Sequence, residues 1–436
     1  MARFIYSLIF TLLLPFILIR LLIRARKAPA YGERWLERFG IFTKPDFVQG
    51  KKAIWFHTVS VGEFIAAVPL IEQVMAADLD RPIVITTTTP TGSEQVKKRF
   101  KSELGQRVFH VYLPYDLPWF LNAFLRRLNP QLLVILETEL WPNLIHSCHK
   151  HGTRVLVANA RLSEKSAKGY AKLAKLSAQM LGQVDCLAVQ NETDGQRFVA
   201  VGMPVDNMTV TGSIKFDITI KDELLQSGKN WREQWGPKRK VIMVASTHQG
   251  EDEIALKAFG ELLTEPSMDT QTPLLIVVPR HPERFDDVAN LIEKQGLRLM
   301  RRSVLLSSPE QADLKSSQVL LVDSMGELMQ FLAASDVCVM GGSFVENGGH
   351  NPLEPAALQV PIIMGPSQFN FALICQQLEE AGGLLTVQEQ ELGQTLKTWV
   401  LDDALIQQKG QRAKQVVQSN TGAKQKVFEL IQRQLH

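Results

Sequence analysis

The stretch Val337-Cys338-Val339-Met340-Gly341-Gly342-Ser343-Phe344-Val345-Glu346-Asn347-Gly348-Gly349-His350-Asn351-Pro352-Leu353-Glu354-Pro355 reads as a buried strand that runs straight into glycines. A second glycine pair follows, then Asn351-Pro352, then Glu354 in a helix that Pro352 can start. Glycine has no Cβ, so its backbone can approach a ligand closely. A helix N-terminus offers free N–H groups and the positive end of a dipole to a phosphate. A carboxylate one turn into that helix can take the hydroxyls of a ribose. Strand, glycine loop and acidic helix start are together the layout of a nucleotide-sugar site at the end of an α/β strand. The plainer reading is a Gly-rich turn between strand and helix.

The same alternation extends outward in both directions. Ala53–His57, Pro82–Thr87, Val108–Leu113, Gln131–Leu136, Arg154–Ala158 and Cys186–Gln190 are short apolar runs separated by helical stretches. Val241–Ala245, Leu274–Val278, Val319–Val322, Val337–Met340 and Ile362–Met364 form a second such series. Continuous rather than alternating apolar strands mean parallel sheets covered on both faces. A single core stops growing near about 250–300 residues, so 436 residues imply two domains. The expected boundaries are residues 1–27 as an anchor, 28–218 as a first Rossmann-like domain and 219–240 as a polar join. A second Rossmann-like domain is expected over 241–403, and a terminal helix over 404–436 that packs back on the first domain.

The formal charge of +3 and the lack of a basic, aromatic-interleaved stripe argue against nucleic acid as a partner. Positive charge is instead local. Phe4 to Ile23 is almost wholly apolar and is followed by Arg24, Arg26 and Lys27. This length is borderline for a membrane span, there is no small-residue cleavage site, and the basic cluster favours a cytoplasmic body. Either one short span or a helix lying in the membrane interface fits; a buried core helix is the plainer reading. Cys148, Cys186, Cys338 and Cys375 contain no CxxC pair and read as reduced thiols. His146, His149 and His151 near Cys148 are either a metal site or solvated and capping residues. No G-x-G-x-x-G follows the first strand and no P-loop exists, which disfavours NAD and P-loop chemistry. Asp78-Leu79-Asp80 reads as a solvated turn, and no metal constellation remains.

Ligands of open α/β sheets bind beyond the C-terminal strand ends. Glu63 falls there, in the first turn of a helix after His57-Thr58-Val59-Ser60-Val61-Gly62. It is a general-base candidate, or simply a carboxylate favoured by the helix dipole; Gly62 is expected to permit a tight turn. Glu137 and Glu139 end the strand Gln131–Leu136, as a site pair or as partners in a salt bridge. Lys215 lies in Thr211-Gly212-Ser213-Ile214-Lys215-Phe216-Asp217, as a neutraliser of an anion or as a surface lysine. In the second series, Ser246, Thr247 and Gly250 are candidates for phosphate oxygens. Arg280, bracketed by Pro279 and Pro282, suits a phosphate, and Asp323 to Leu328 suits a base or ribose.

Taken together, these strings resemble one family, the 3-deoxy-D-manno-octulosonic acid (Kdo) transferases of lipid A biosynthesis. The likeness runs through Arg26 to Tyr31, His57 to Glu63, Thr88 to Gly92, Val111 to Asp116 and Glu137 to Asn143. It continues through Gly212 to Asp217, Val278 to Arg284, Met325 to Leu328 and Gly341 to Glu354. The resemblance implies an α/β fold of GT-B type, two Rossmann-like domains with parallel sheets facing across a cleft, plus the anchor helix. It implies inverting, metal-independent transfer of Kdo from CMP-Kdo to lipid IVA in lipopolysaccharide core assembly, with no cofactor, on the cytoplasmic face of the inner membrane and in contact with its lipids. It implies Glu63 as proton acceptor and Glu137 and Lys215 as transition-state stabilisers. Arg280, His281, Met325, Gly326, Glu327, Asn351, Pro352, Leu353 and Glu354 would line the CMP site. Ser60, Gly62, Ser213, Ser246, Thr247, Gly349 and His350 are further donor or acceptor contacts. A GT-B-like nucleotide-sugar epimerase and a non-catalytic, membrane-tethered nucleotide-sugar-binding protein are the alternatives. The number of Kdo residues added and the oligomeric state stay open.

Overall fold

A computed structural model describes residues 1–266, 272–307 and 314–436. The chain divides into two compact units. One is Met1–Asp217 with Thr421–His436, and the other is Ile218–Asn420.

The first unit is built on β1 (Ala53–His57), β2 (Ile83–Thr87), β3 (Val108–Tyr112), β4 (Pro130–Leu136), β5 (Arg154–Ala160), β6 (Cys186–Val189) and β7 (Met208–Val210). Their order across the sheet is β3-β2-β1-β4-β5-β6-β7, and each neighbouring pair is parallel. Trp55 of β1 stands opposite Val84 of β2 and Leu133 of β4. Trp55, Val84, Leu133 and Val155 pack into one buried layer. Ile54, Ile83, Leu132 and Leu156 pack into the layer on the other face. Both faces being covered explains why the middles of these strands are continuously apolar rather than alternating. Each large apolar side chain so buried contributes roughly 1.5–3 kcal/mol.

The second unit carries β8 (Val241–Thr247), β9 (Leu274–Pro279), β10 (Leu299–Arg301), β11 (Val319–Leu321), β12 (Val337–Met340), β13 (Ile362–Met364) and β14 (Leu384–Thr386). They are ordered β10-β11-β9-β8-β12-β13-β14, again all parallel. Among the described residues, eleven of the fourteen strands match apolar runs in the sequence. The three others, β7, β10 and β14, are edge strands of three residues each. They are too short to carry a pattern, and an edge needs less apolar cover.

Two segments differ from expectation. Residues 219–240 hold the helix Asp222–Trp235, which belongs to the second unit. Trp231 and Trp235 stack on each other and on Phe331. Gly228 lies so near the following turn that a Cβ there would stand 2.6 Å from the Ala333 carbonyl oxygen. One tryptophan face, spaced four residues apart, is what holds an otherwise polar segment. The tail is two helices, not one. Asp403–Ser419 packs in the second unit and Ala423–Leu435 in the first, because Gly422, at φ +98°, breaks the run.

The last helix is fastened by Asp217. Its Oδ1 accepts the Gly422 N–H and its Oδ2 the Lys424 N–H, both at 2.7 Å. A carboxylate at a helix N-terminus satisfies free donors and meets the positive dipole end. Val427, Leu430 and Ile431 then bury against the first sheet. Asp217→Ala should therefore destabilise the first unit by about 1–2 kcal/mol, read as a lower denaturant midpoint.

Candidate active site

In the first unit the site grows from the border of β1 and β4, the place where the strand order reverses. Ser60 caps the helix Val61–Ala77. Its Oγ accepts the Glu63 N–H at 3.2 Å and donates to Glu63 Oε1 at 2.9 Å. Glu63 Oε1 also accepts the Ser60 N–H at 3.3 Å, and Oε2 accepts the Val59 N–H at 2.8 Å. This is a capping box. It holds the Glu63 carboxylate in place and, among the described residues, leaves Oε2 with one partner. Burial pushes the Glu63 pKa above the ordinary glutamate value. The Val59 N–H and Ser60 hydroxyl pull it back, and the charge of Glu137 adds to the rise. The N–H groups at the helix start favour the ionised form, and burial outweighs them in the net shift. Gly62 sits in the first helical turn without a positive φ, so no tight turn depends on it. An added Cβ there would meet only Ser60 Oγ, at 3.9 Å.

Glu137, just past β4, has φ +58°. Its N–H donates to the Ala158 carbonyl at 2.9 Å. Its carboxylate lies 2.7 Å from Lys215 Nζ and 3.3 Å from Arg161 Nε. The salt bridge that the sequence left as an alternative is present, and it is made with the site lysine. Glu139 lies within reach of the charges of Glu63 and Glu137. Burial, then the charge of Glu63, raises its pKa. Lys215 sits in the short helical turn Ile214–Phe216, where Ser213 Oγ accepts the Lys215 N–H at 3.4 Å.

Sequence reading assigns no role to Asn159. It ends β5 at φ +56°, and its Oδ1 accepts the Ile214 N–H at 3.1 Å. It thereby positions the turn that aims Lys215 at Glu137. The signal that could have found it is an Asn at a strand end, since Asn tolerates the left-handed region better than most residues.

In the second unit the corresponding reversal lies between β8 and β12. Glu251 opens the helix after β8, is 2% exposed, and accepts four N–H groups. These come from His248 at 2.9 Å, Gly342 at 2.7 Å, and Ser343 and Phe344 at 3.0 Å each. A carboxylate with four backbone donors fixes the glycine loop after β12 to the loop after β8. Gly341 is required by the same closeness, since a Cβ would stand 2.5 Å from the Ser246 carbonyl oxygen. Sequence reading had missed Glu251 as the organiser of this loop.

His248 Nε2 and His350 Nε2 are 2.9 Å apart, and their rings are parallel within 5°. One nitrogen donates and the other accepts, so at least one ring is neutral. Burial, followed by the charges of His248 and Arg280, lowers His350 to about 4. His281 meets the His248 ring edge-on, with centroids 5.4 Å apart. Arg280 and His281 are exposed at the end of β9. Glu354 is raised by burial, with Asn351 and Arg280 pulling it down, and Asn351 Nδ2 donates to its Oε1 at 3.3 Å. Arg280, His281, His350, Asn351 and Glu354 therefore share one electrostatic neighbourhood.

Other expected residues have different surroundings. Thr247 is buried and donates its hydroxyl to Asp252 at 2.6 Å, so that hydroxyl is not offered to a phosphate. Ser246, at φ +62°, remains half-exposed. Pro352 and Leu353 are buried and serve packing. Gly349 shapes the loop at φ +72°. The helix Leu353–Ala357 has only five residues, so it offers local N–H groups rather than a long aligned dipole. Met325 is 57% exposed and Gly326 has φ +90°. Glu327 is held by Arg302 Nη2 at 2.7 Å and Gln330 Nε2 at 2.6 Å, and Arg302 first, then the Ser324 hydroxyl, lowers its pKa. These three follow β11, two strands away from β8.

Glu251→Gln replaces an acceptor-only group by one whose NH₂ faces backbone donors. Buried donors left unmatched cost about 1–3 kcal/mol each. The second unit should lose about 3 kcal/mol of stability, measured as a lowered unfolding midpoint with near-native circular dichroism before the transition.

Comparison with known proteins assigns the family. Residues 33–218 match the family model described as 3-deoxy-D-manno-octulosonic-acid transferase (kdotransferase). The chain is 38% identical over 434 residues to the 3-deoxy-D-manno-octulosonic acid transferase of Haemophilus influenzae, covering 99% of this chain and 98% of that one. It is 34% identical over 403 residues to the Bordetella pertussis enzyme of the same name, covering 92% and 91%. A solved structure of UDP-GlcNAc 2-epimerase from Neisseria meningitidis, bound to UDP-GlcNAc, aligns with a TM-score of 0.54 at 15% identity, over 88% of this chain and 100% of that one. That likeness is one of fold, the GT-B class of paired Rossmann-like units. With the carboxylates of the β1/β4 border and the glycine loop of the β8/β12 border in place, and with relatives alike over almost the entire length, the chain belongs to the 3-deoxy-D-manno-octulosonic acid (Kdo) transferase family of glycosyltransferases.

Proposed function

We propose that this Kdo transferase moves Kdo from CMP-Kdo to lipid IVA, with inversion and without a metal or other cofactor, at the cytoplasmic face of the inner membrane during lipopolysaccharide core assembly. The observation that carries this reading is the state of Glu63. It is a carboxylate at the sheet's switch point, pinned by its capping box, raised in pKa by burial, and left with capacity on Oε2. A base that is fixed, accessible and shifted toward neutrality suits removal of a hydroxyl proton.

Glu63 takes the proton of an acceptor hydroxyl. The freed oxygen pair forms a bond to the anomeric carbon of Kdo. The bond from that carbon to the phosphate oxygen breaks, and CMP leaves with its electron pair. Attack opposite the leaving group inverts the centre. The reacting sugar gains oxocarbenium character, which the Glu137 carboxylate stabilises, and Lys215 holds that carboxylate at 2.7 Å. A preorganised charge of this kind costs no reorganisation during reaction. Ser60 and Ser213 orient Glu63 and Lys215 respectively. In the second unit Arg280, His281 and His350 are suited to the CMP phosphate, with Ser246 and the Gly349 backbone beside them. Asn351 and Glu354 are suited to the ribose, and Met325 to Glu327 to the base.

The defining experiment incubates the detergent-solubilised protein with CMP-Kdo and lipid IVA in chelator, and weighs the lipid by mass spectrometry. Gain in whole Kdo units is expected and counts the transfers. Intact CMP-Kdo and unchanged lipid, with folded protein, would overturn the reading.

Glu63→Gln should lower kcat by about 100- to 10,000-fold, with CMP binding by calorimetry unchanged. Because the Glu63 pKa is raised, the base form is lost as pH falls through a value above that of ordinary glutamate. The acid limb of kcat/KM should lie there, with the rate rising as pH rises through it. Asn159→Ala removes the hydrogen bond that places Lys215. It should lower kcat about tenfold, the worth of roughly 1–1.5 kcal/mol, leave the KM for CMP-Kdo unchanged, and be partly rescued by Asn159→Asp.

A further inference from the structure

The helix Ala2–Lys27 is the one helix among the described residues that is long and apolar enough to cross a membrane. At about 1.5 Å per residue it is roughly 39 Å long, and it belongs to the first unit. One face is half-buried over its full length. Tyr6, Phe10, Leu14, Ile17, Leu21 and Ala25 recur three or four residues apart on that face. It rests on the helices Pro142–His151 and Ala174–Leu181. The opposite face, at Phe4, Leu8, Leu12, Phe16, Ile19 and Ile23, is exposed.

The N-terminal end is tied to that unit by side chains, and the C-terminal end leads into it through the chain itself. At the start, Arg3 Nη1 donates to Asn143 Oδ1 at 3.1 Å, and Asn143 Nδ2 donates to Ser7 Oγ at 3.0 Å. The Tyr6 hydroxyl donates to the Asp116 carboxylate. That carboxylate is 5% exposed and also accepts the Asn143 and Leu144 N–H groups at 3.1 and 2.7 Å. At the far end the Arg24 guanidinium lies 5.7 Å from the centre of the Tyr31 ring. A helix that crossed the roughly 30 Å hydrocarbon layer would place its ends on opposite sides of it. Here one unit holds both, and withdrawing the first two turns would strip buried Asp116 and Asn143 of partners.

We propose that Ala2–Lys27 is an in-plane anchor. It is clamped flat on the first unit by Asp116 and Asn143, with its Phe4-to-Ile23 stripe in the acyl boundary of a bilayer carrying anionic headgroups, and it does not cross that bilayer. The occupant is argued from chemistry. The exposed stripe is apolar, and Arg20, Arg24, Arg26 and Lys27 are exposed at its basic end, the combination that binds anionic interfaces. Trp35 and Trp119 stand exposed around Phe39 and Phe120, and tryptophan favours headgroup depth. The proposal rests on the membrane location given above but not on the reaction.

The four native cysteines are buried, so single reporters can be introduced as Ala2→Cys and, on the exposed body, Ser102→Cys. Full-length protein in native-membrane vesicles of each orientation is treated with a membrane-impermeant maleimide, with detergent-opened vesicles giving total label. Both positions should label from the same side and to a similar fraction of total. Labelling of Ala2→Cys from the side opposite Ser102→Cys, or only after detergent, overturns the in-plane helix. Kdo transfer is assayed on the same vesicles. Same-side labelling without transfer would refute the reaction and leave the anchor standing, whereas transfer with opposite-side labelling would do the reverse.

Discussion

Parallel strands can be joined only by crossovers, and those crossovers are almost always right-handed. In each unit the first strand is central, so the chain must build outward on one side and then return to build on the other. β1 lies between β2 and β4, and β8 lies between β9 and β12. At these two borders the connections leave toward opposite faces, and the strand ends between them stay open to a ligand. Every group with a chemical role proposed above, Met325 to Glu327 and the residues of the outer strand ends aside, stands at one of these borders or is aimed at it from the next strand. Glu63 and Glu137 flank the first, with Asn159 reaching in from neighbouring β5 and Lys215 from the turn after the edge strand β7. Ser246, Glu251 and the glycine loop flank the second, with Arg280 arriving from β9.

The two borders use a glutamate at the same topological point to opposite ends. Glu63 follows β1 and Glu251 follows β8, each in the first turn of the next helix. Glu251 is enclosed and accepts four backbone N–H groups, so its capacity is spent on holding two loops together. Glu63 is held by its own capping box and keeps an oxygen with one partner. Burial of a carboxylate is costly unless it is paired. Four donors offset that cost for Glu251, while for Glu63 the remaining imbalance appears as a raised pKa. Non-glycine residues in the left-handed region mark the same places. Glu137, Asn159 and Ser246 each lie within one residue of a strand end, each at a cost of order 1 kcal/mol, and each turns a side chain or carbonyl that a regular strand would aim elsewhere.

Strand identity was legible because burial on both faces forces an unbroken apolar run. Ile54-Trp55-Phe56 and Leu274 to Val278 could be read from composition alone. The edge strands β7, β10 and β14 could not, since three residues define no period and one side needs no cover. The helix Asp222–Trp235 was hidden by its polar majority, and its fold membership depends on Trp231 and Trp235 finding Phe331. The break at Gly422 was visible as a residue type. Which unit each terminal helix joins was not, because it depends on Asp217, more than two hundred residues earlier, reaching the N–H groups of Gly422 and Lys424.

The sequence by itself determined the α/β class, the two parallel sheets, the family, and the positions of Glu63, Glu137, Lys215 and the glycine loop. These depend on local pattern and on strings short enough to read directly. Tertiary structure decided what those groups can do. Whether Glu63 is raised or lowered in pKa depends on how fully neighbours exclude water. Whether Glu137 is free or paired depends on Lys215 and Arg161 being brought to it. Whether Thr247 faces a ligand or Asp252 depends on which way a strand end turns. The anchor shows the same division. Its apolar length and basic end are written in the first 27 residues, but a flat or crossing course depends on Asp116 and Asn143, which take Arg3, Tyr6 and Ser7 as further partners only when the helix is docked.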